Sequence, residues 1–115
     1  MTHHHNHGEM QSCIDECTQC SAICLETIQH CLQLGGEHAS PSHIALLTTC
    51  ADICTTSARA MLLGSDAHRH TCAACAEVCA MCAEECGRLG DNEAMQRCAD
   101  ACRRCAESCR AMASM

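Results

Sequence analysis

Four segments of the chain combine helix-forming residues with cysteine and apolar residues that recur every three or four positions. They cover residues 12–34, 41–63, 67–89 and 91–113. Alanine, glutamate, glutamine, arginine, methionine and leucine are frequent in them, and Gly87 is their one glycine. The pattern therefore predicts four helices of similar length.

Three short interruptions separate the segments, and each contains glycine, which commonly follows the last residue of a helix. These glycines are Gly35, Gly36, Gly64 and Gly90. Ser40 followed by Pro41 is typical of a helix N-cap and first turn, and Ser65 or Asp66 is the expected cap of the third segment. Because short connections make neighbouring helices antiparallel, residues 12–115 are predicted to form an all-α, up-down-up-down four-helix bundle.

Cysteine occupies the inward positions that leucine or isoleucine fill in an ordinary bundle. Within the segments the cysteines recur at alternating steps of three and four residues, which is the spacing of the a and d positions of a heptad. In each segment these positions form one inward face of the helix, called the seam here. All 16 cysteines lie on the seam of their segment: Cys13, Cys17, Cys20, Cys24, Cys31, Cys50, Cys54, Cys72, Cys75, Cys79, Cys82, Cys86, Cys98, Cys102, Cys105 and Cys109. The sequence therefore predicts a bundle with a cysteine-lined core.

The composition argues against reading these cysteines as ordinary core residues. One or two of them would be interpreted as small buried hydrophobes. The chain contains no Phe, Tyr or Trp, however, and cysteines alone are too small to fill four seams at native density. Disulfides between helices are an alternative, expected mainly as an oxidation product. Metal ions between the sulfur atoms account for the whole set better.

The charge of the metal distinguishes between the candidate ions. Thiolates select soft metals, with Cu(I) foremost and zinc and iron–sulfur clusters as competitors. One Cu(I) per thiolate gives a neutral core, whereas four Zn²⁺ shared by 16 thiolates leave eight negative charges that no seam arginine offsets. The spacing across Cys72–Cys82 also differs from the ferredoxin pattern. The seams therefore predict several Cu(I) ions per chain.

The same phase predicts different chemistry at the two ends of the core. At one end Met10, Met61, His68 and Met112 are expected to surround the last cysteines and to act as further copper ligands. The opposite end is expected to be mostly an apolar plug, with His43 near the surface rather than a ligand. The other members of that plug are Leu34, Leu47, Leu89 and Met95.

The remaining features concern location and partners. The net charge of −7 argues against nucleic-acid binding, and no apolar run is long enough for a membrane span. The N-terminus lacks the features of a secretory signal, so a cytoplasmic protein is expected. Residues 1–11, which include His3, His4, His5 and His7, are predicted to form a disordered arm that captures metal.

A weaker apolar row lies beside the seam on the first two segments. Its members are Ile14, Leu25, Ile28, Leu32, Leu46, Ile53 and Ala60. Because the cysteines already occupy the core, this row is interpreted as the interface of a dimer or tetramer.

The cysteine framework resembles that of the bacterial copper storage proteins. The resemblance is carried by Glu9–Cys17, His30–Leu32, Cys50–Cys54, Thr71–Cys79 and Cys98–Cys109, so it extends over nearly the whole chain. It implies a four-helix bundle that loads Cu(I) through one open end and assembles as a homotetramer. It also implies the cytosolic branch of the family, because the exported branch carries a twin-arginine leader.

Storage and detoxification of Cu(I), without catalysis, is the function that these observations favour. The alternatives are a copper chaperone, a metallothionein-like zinc or cadmium buffer, and a thiol redox sensor. A chaperone needs an exposed thiol pair and a redox sensor needs a low-pKa thiol beside a basic group, and the seams offer neither. No Ser-His-Asp set or glycine-rich phosphate loop is present in the sequence.

Overall fold

The protein is described from a computed structural model that covers residues 2–90 and 92–115, with side chains from residue 8 onward. It consists of four long helices and one short 3-10 helix, in the order α1 (Thr2–Leu34), 3-10 turn (Gly36–Ala39), α2 (Pro41–Leu62), α3 (His68–Arg88) and α4 (Glu93–Ala113). The predicted all-α architecture is confirmed. The helix α1 begins earlier than position 12, where the pattern placed its start.

The four helices form a square in which each helix packs against two neighbours. Helix α1 contacts α2 and α4, and α3 contacts the same two helices from the opposite corner. The molecule measures 51 × 21 × 18 Å along its principal axes. The long dimension is set by α1, since 33 residues at about 1.5 Å each extend for about 50 Å.

Short polar contacts fix where the helices begin. The Ser40 hydroxyl accepts a hydrogen bond from the His43 amide at 3.3 Å, as predicted for the cap of α2. The Asn92 side chain accepts one from the Met95 amide at 3.0 Å and caps α4. The prediction for α3 is wrong, because Ala67 occupies the N-cap position and Ser65 instead accepts from the Ala67 amide within the preceding turn.

Glycine is required where the chain leaves α1 and α2. Gly35 and Gly64 have φ angles of 72° and 67°, a left-handed conformation that residues with a Cβ atom rarely adopt. The Gly64 amide donates to the Met61 carbonyl at 3.1 Å, which satisfies one of the free carbonyls at the end of α2. These turns reverse the chain within a few residues, so sequential helices lie antiparallel.

Small side chains allow the four helices to approach one another closely. All 16 cysteines have an exposed fraction of 0%, and alanines that are 2–6% exposed flank them. These alanines are Ala51, Ala58, Ala76, Ala83, Ala99, Ala101 and Ala106. Because the distance between packed helices depends on the size of the contact residues, this composition brings sulfur atoms from different helices into contact.

The predicted histidine-rich arm, residues 1–11, is only partly described. The side chains of His3, His4, His5 and His7 lie outside the described residues, while Gly8–Gln11 belong to α1. None of the helices in the described part of the chain has the length and apolar character that crossing a membrane requires.

Candidate metal centre

The sulfur atoms of the core form a column that runs along the inside of the bundle. The closest contacts join different helices: Cys17 and Cys109 are 3.5 Å apart, Cys54 and Cys79 are 3.5 Å apart, and Cys50 and Cys79 are 3.6 Å apart. These are distances between thiols that share weak S–H···S hydrogen bonds, and every cysteine is free. The alternating spacing of the sequence thus places donors from all four helices in one continuous space.

Groups of four sulfur atoms recur along this column, and within each group all the sulfurs lie within 4.8 Å of one another. Three such groups share no member: Cys17, Cys75, Cys105 and Cys109; Cys20, Cys50, Cys54 and Cys79; and Cys24, Cys82, Cys98 and Cys102. Further groups bridge them, so that Cys20, for example, also lies with Cys24, Cys50 and Cys102. The sulfurs are therefore an overlapping series rather than isolated sites.

The column contains no positive charge that could offset ionised thiols. Among the described residues the buried polar or charged side chains are Thr27, His43 and Ser57. Arginines are instead found on the surface, where Arg97 pairs with Glu26 at 3.0 Å and other exposed pairs resemble it. An ionised but unpaired thiolate in this core is therefore costly, because burial without a counter-charge disfavours the charged form.

The pKa values of Cys31 and Cys86 reflect this environment. Burial raises the pKa of the Cys31 thiol, and the neighbouring Cys98 and Cys82 raise it further because thiolates repel one another. Hydrogen bonding with Cys82 and Cys98, followed by burial, raises the pKa of Cys86. These thiols are protonated in the metal-free protein at neutral pH. Each must release its proton when it binds a metal ion.

At one end of the column the structure brings together three of the four predicted non-cysteine ligands. Met61 and Met112 are 3% and 1% exposed, and the Met61 thioether lies 4.0 Å from the Cys72 thiol. Met10 is half-buried and packs against the core. His68 is half-buried, and its Nδ1 contacts the Ser65 carbonyl at 2.9 Å, so this ring nitrogen faces the backbone of the turn.

The opposite end differs from the predicted apolar plug. Leu34 is 51% exposed and lies outside the core, whereas His43, which was expected near the surface, is 2% exposed. The His43 Nε2 atom lies 3.5 Å from the Cys31 sulfur, and the Cys31 thiol lies 3.7 Å from the Met95 sulfur. Burial lowers the pKa of His43, which favours the neutral ring.

Sequence reasoning therefore missed His43 and Met95 as soft donors that face a cysteine. The signal was present in the sequence, because His43 precedes Leu47, Cys50 and Cys54 at the seam spacing of α2. It was overlooked because the first turn of a helix usually lies near the surface, and here the 3-10 turn brings α2 back beside the end of α1.

Comparison with known proteins agrees with the metal-binding character of this cysteine-lined core. The family model described as copper storage protein matches residues 6–114. The chain belongs to the copper storage protein family. The predicted family, its four-helix bundle with a cysteine-rich core and its copper storage role are thereby confirmed.

Similar solved structures cover almost the whole chain. The Cu(I)-bound copper storage protein BsCsp3 of Bacillus subtilis is 38% identical over 91% of this chain and 98% of that one, with a TM-score of 0.85. A cytosolic copper storage protein of Streptomyces lividans, in a structure with five coppers, is 34% identical over 94% of both chains, with a TM-score of 0.79.

An uncharacterized cysteine-rich protein of Bacillus subtilis, YhjQ, is 38% identical over 68 residues. That match spans 59% of this chain and 63% of the relative, which is less than two thirds of its length.

The raised thiol pKa values predict an alkaline loss of stability in the reduced, metal-free protein. Below the pKa of an unfolded thiol this contribution is fully present, and it is lost as the pH rises towards the folded value. Because the chain contains no lysine or tyrosine, few other groups titrate between pH 8 and 10. The free energy of unfolding should fall there by about 1.4 kcal/mol per pH unit for each thiol that ionises only after unfolding.

Anaerobic urea denaturation followed by circular dichroism measures this dependence. The matched control is the same protein between pH 7 and 7.5, where neither these thiols nor His43, whose pKa is lowered by burial, changes protonation appreciably and stability should change little. A free energy of unfolding that stays constant up to pH 10 would contradict the assignment of neutral buried thiols.

Proposed function

We propose that the chain stores several Cu(I) ions in the cytosol and so keeps copper from reacting with other thiols. The observation that carries this proposal is the column of 16 fully buried cysteines, beside which no buried Arg is found among the residues that the structure describes. A store must hold many ions in little space and keep water and other ligands away from them. A closed bundle lined with sulfur meets both requirements.

Charge favours Cu(I) over zinc in this column. A tetrahedral zinc site with bonds of about 2.3 Å needs sulfurs about 3.8 Å apart, and the three separate groups of four cysteines are close to that geometry. Each such site would carry two negative charges in a core where none of the described arginines is buried. One Cu(I) for each thiolate leaves no net charge, so the loaded column avoids the desolvation penalty of buried ions.

Storage fits the burial of the thiols better than delivery to a partner protein does. A chaperone that hands copper to another protein needs at least one accessible pair of donors. All 16 cysteines are instead fully covered, so the geometry resembles a closed container. The family role likewise favours storage over catalysis, and we propose that the chain is not an enzyme.

We propose that the cysteines bind copper throughout the column and that Met10, Met61, His68 and Met112 serve as further ligands where it opens. Met61 supports this role most directly, because its sulfur contacts Cys72. Thioethers bind Cu(I) without adding charge, so they can hold an ion briefly before thiolates displace them.

Location in the cytosol is supported by two observations. The thiols are free in the structure and remain so only under reducing conditions, which the cytosol provides. The similar Streptomyces lividans protein is described as cytosolic.

We also propose that the chain forms a homotetramer through the outer faces of α1 and α2. Leu25 and Leu62 are 54% and 66% exposed and line a groove of about 360 Å³ between these helices. Ile28 and Ile53 of the predicted apolar row are half-buried on the same helices, whereas Leu46 lines a cleft between α2 and α3. Ile14, which belonged to that row, lies instead at the edge of the core with 9% exposure.

Anaerobic titration of the reduced protein with Cu(I), and separately with Zn²⁺, tests the storage function. We expect more than about one Cu(I) for every two thiols and only weak uptake of zinc. Replacing the contacting pair Cys54 and Cys79 by serine should lower the copper capacity while the helical circular dichroism spectrum persists. Saturation by a few zinc ions held more tightly than copper would instead support the buffer function.

Substitution at the methionine end tests the additional ligands. The combination Met61→Leu, His68→Gln and Met112→Leu should slow the initial rate of Cu(I) uptake at least severalfold, because copper loses its first soft ligands. The total capacity should change much less, since the cysteines remain. Met115→Leu, at an exposed methionine, is the matched control. An unchanged uptake rate in the triple variant would argue against copper entry at this end.

Light scattering coupled to size exclusion tests the assembly. We expect a tetramer for the natural chain and smaller species for the double variant Leu25→Glu and Leu62→Glu, because buried carboxylates oppose an apolar interface. Ala74→Glu adds the same charge to the exposed surface of α3 and should leave the assembly intact. A monomeric natural chain would contradict the proposal.

A further inference from the structure

Ser57 is a polar residue on the cysteine seam of α2. It follows Cys54 by three positions and precedes Met61 by four, and this spacing places the three side chains on one face of the helix. Its exposed fraction is 0%, the same as that of Cys54. The Ser57 hydroxyl is therefore enclosed in the core, on the face that Cys54 and Met61 share.

The Ser57 hydroxyl has no hydrogen-bond partner among the described residues. Thr27 is likewise buried on a seam, but its hydroxyl donates to the Ile23 carbonyl of its own helix at 2.7 Å. A serine in a helix can make the same bond to the carbonyl four residues earlier, and Ser57 does not. Because a buried hydroxyl without a partner is unfavourable, such groups are uncommon and call for an explanation.

The contacts of its two neighbours on α2 fix the level at which Ser57 lies in the column. The Cys54 sulfur lies 3.7 Å from the sulfur of Cys75 on α3. Two turns further along α2, the Met61 sulfur lies 4.0 Å from the sulfur of Cys72. Because α2 and α3 are antiparallel, Ser57 faces the part of α3 between Cys72 and Cys75.

The group of four cysteines at this level takes no sulfur from α2. Its members come from the other three helices: Cys17, Cys75, Cys105 and Cys109. The next group along the column shares Cys75 and Cys105 with it and does include a sulfur of α2, that of Cys54. At the level of the first group, α2 therefore presents the Ser57 hydroxyl in place of a thiol.

Copper binding changes what the neighbouring sulfur atoms can accept. A protonated thiol carries its own donor, and Cys17 and Cys109 share such an S–H···S contact at 3.5 Å. When Cu(I) takes the place of the proton, the proton leaves to water, and the thiolate keeps its lone pairs but has no donor. Hydrogen bonds to ionised acceptors are about twice as strong as neutral ones. A free hydroxyl beside such a thiolate then gains a strong acceptor.

We propose that Ser57 is a positioning residue of the copper store, and that its hydroxyl donates a hydrogen bond to a copper-bound thiolate of the group that contains Cys17, Cys75, Cys105 and Cys109. The bond adds no charge to the core, whereas an arginine at the same position would. Because the bond forms in the loaded state alone, its whole free energy favours copper retention. This inference rests on the proposed binding of Cu(I) throughout the column.

Ser57→Ala tests the two states of the protein, in which it should act with opposite signs. In the reduced, metal-free protein the change removes an unpaired buried hydroxyl, so the midpoint of urea unfolding should rise by about 0.5 M. In the loaded full-length protein it removes the hydrogen bond to the thiolate. Equilibrium competition with a Cu(I) chelator under anaerobic conditions should then show about tenfold weaker binding of the affected ions.

Thr27→Val is the matched control, because it removes a buried seam hydroxyl that is already bonded within its own helix. It should leave copper retention unchanged and should not raise the stability of the metal-free protein. A metal-free Ser57→Ala protein that is less stable than the natural chain would show that the hydroxyl has a partner without copper. That result, or unchanged copper retention in Ser57→Ala, would overturn the inference.

Nuclear magnetic resonance on the natural chain makes the test independent of any variant. The Ser57 hydroxyl proton should move downfield when Cu(I), or Ag(I) as its analogue, fills the column, because a hydrogen bond to a thiolate deshields it. An unchanged resonance in the fully loaded protein would contradict the role of Ser57 while leaving storage intact. Failure of the natural chain to bind several Cu(I) ions would instead contradict the proposed function.

Discussion

Neutralisation of buried thiolate charge is the constraint on which the rest of this structure depends. The core holds 16 cysteines, and among the described residues no buried arginine accompanies them. The pKa values of Cys31 and Cys86 are raised, so these two thiols stay protonated without metal. A monovalent ion in place of each proton would keep the core neutral. The same bundle therefore tolerates both states, because neither places net charge inside it.

Cysteine and alanine at the helix contacts bury less apolar area than larger side chains would, which lowers the stability of the bundle. Larger residues at the ends of the bundle partly compensate for this loss. Small side chains bring the helices close together but bury little apolar area, and the chain has no aromatic residue to compensate. Larger side chains such as Leu47, Met95 and Met112 are fully buried at the ends of the seams. They add apolar contact area at both ends of the column.

The two ends nevertheless differ chemically. One presents Met61 and Met112 beside the last cysteines, whereas the other presents His43 and Met95 around Cys31. Both ends combine neutral soft donors with a thiol, whereas the middle of the column offers thiols alone. This difference follows from which residues end each seam.

The sequence by itself determined the bundle, its antiparallel order and the inward direction of every cysteine. These properties follow from a helical repeat that is local, so the spacing of Cys72, Cys75 and Cys79 already places them on one face. The tertiary structure decided what no local repeat contains, namely which sulfurs of different helices share a site and how deeply His43 is buried. That burial depends on the turn between α1 and α2, which carries the first turn of α2 beside Cys31. Heptad phase fixes the face on which a side chain lies, but only the packing of several helices fixes its neighbours.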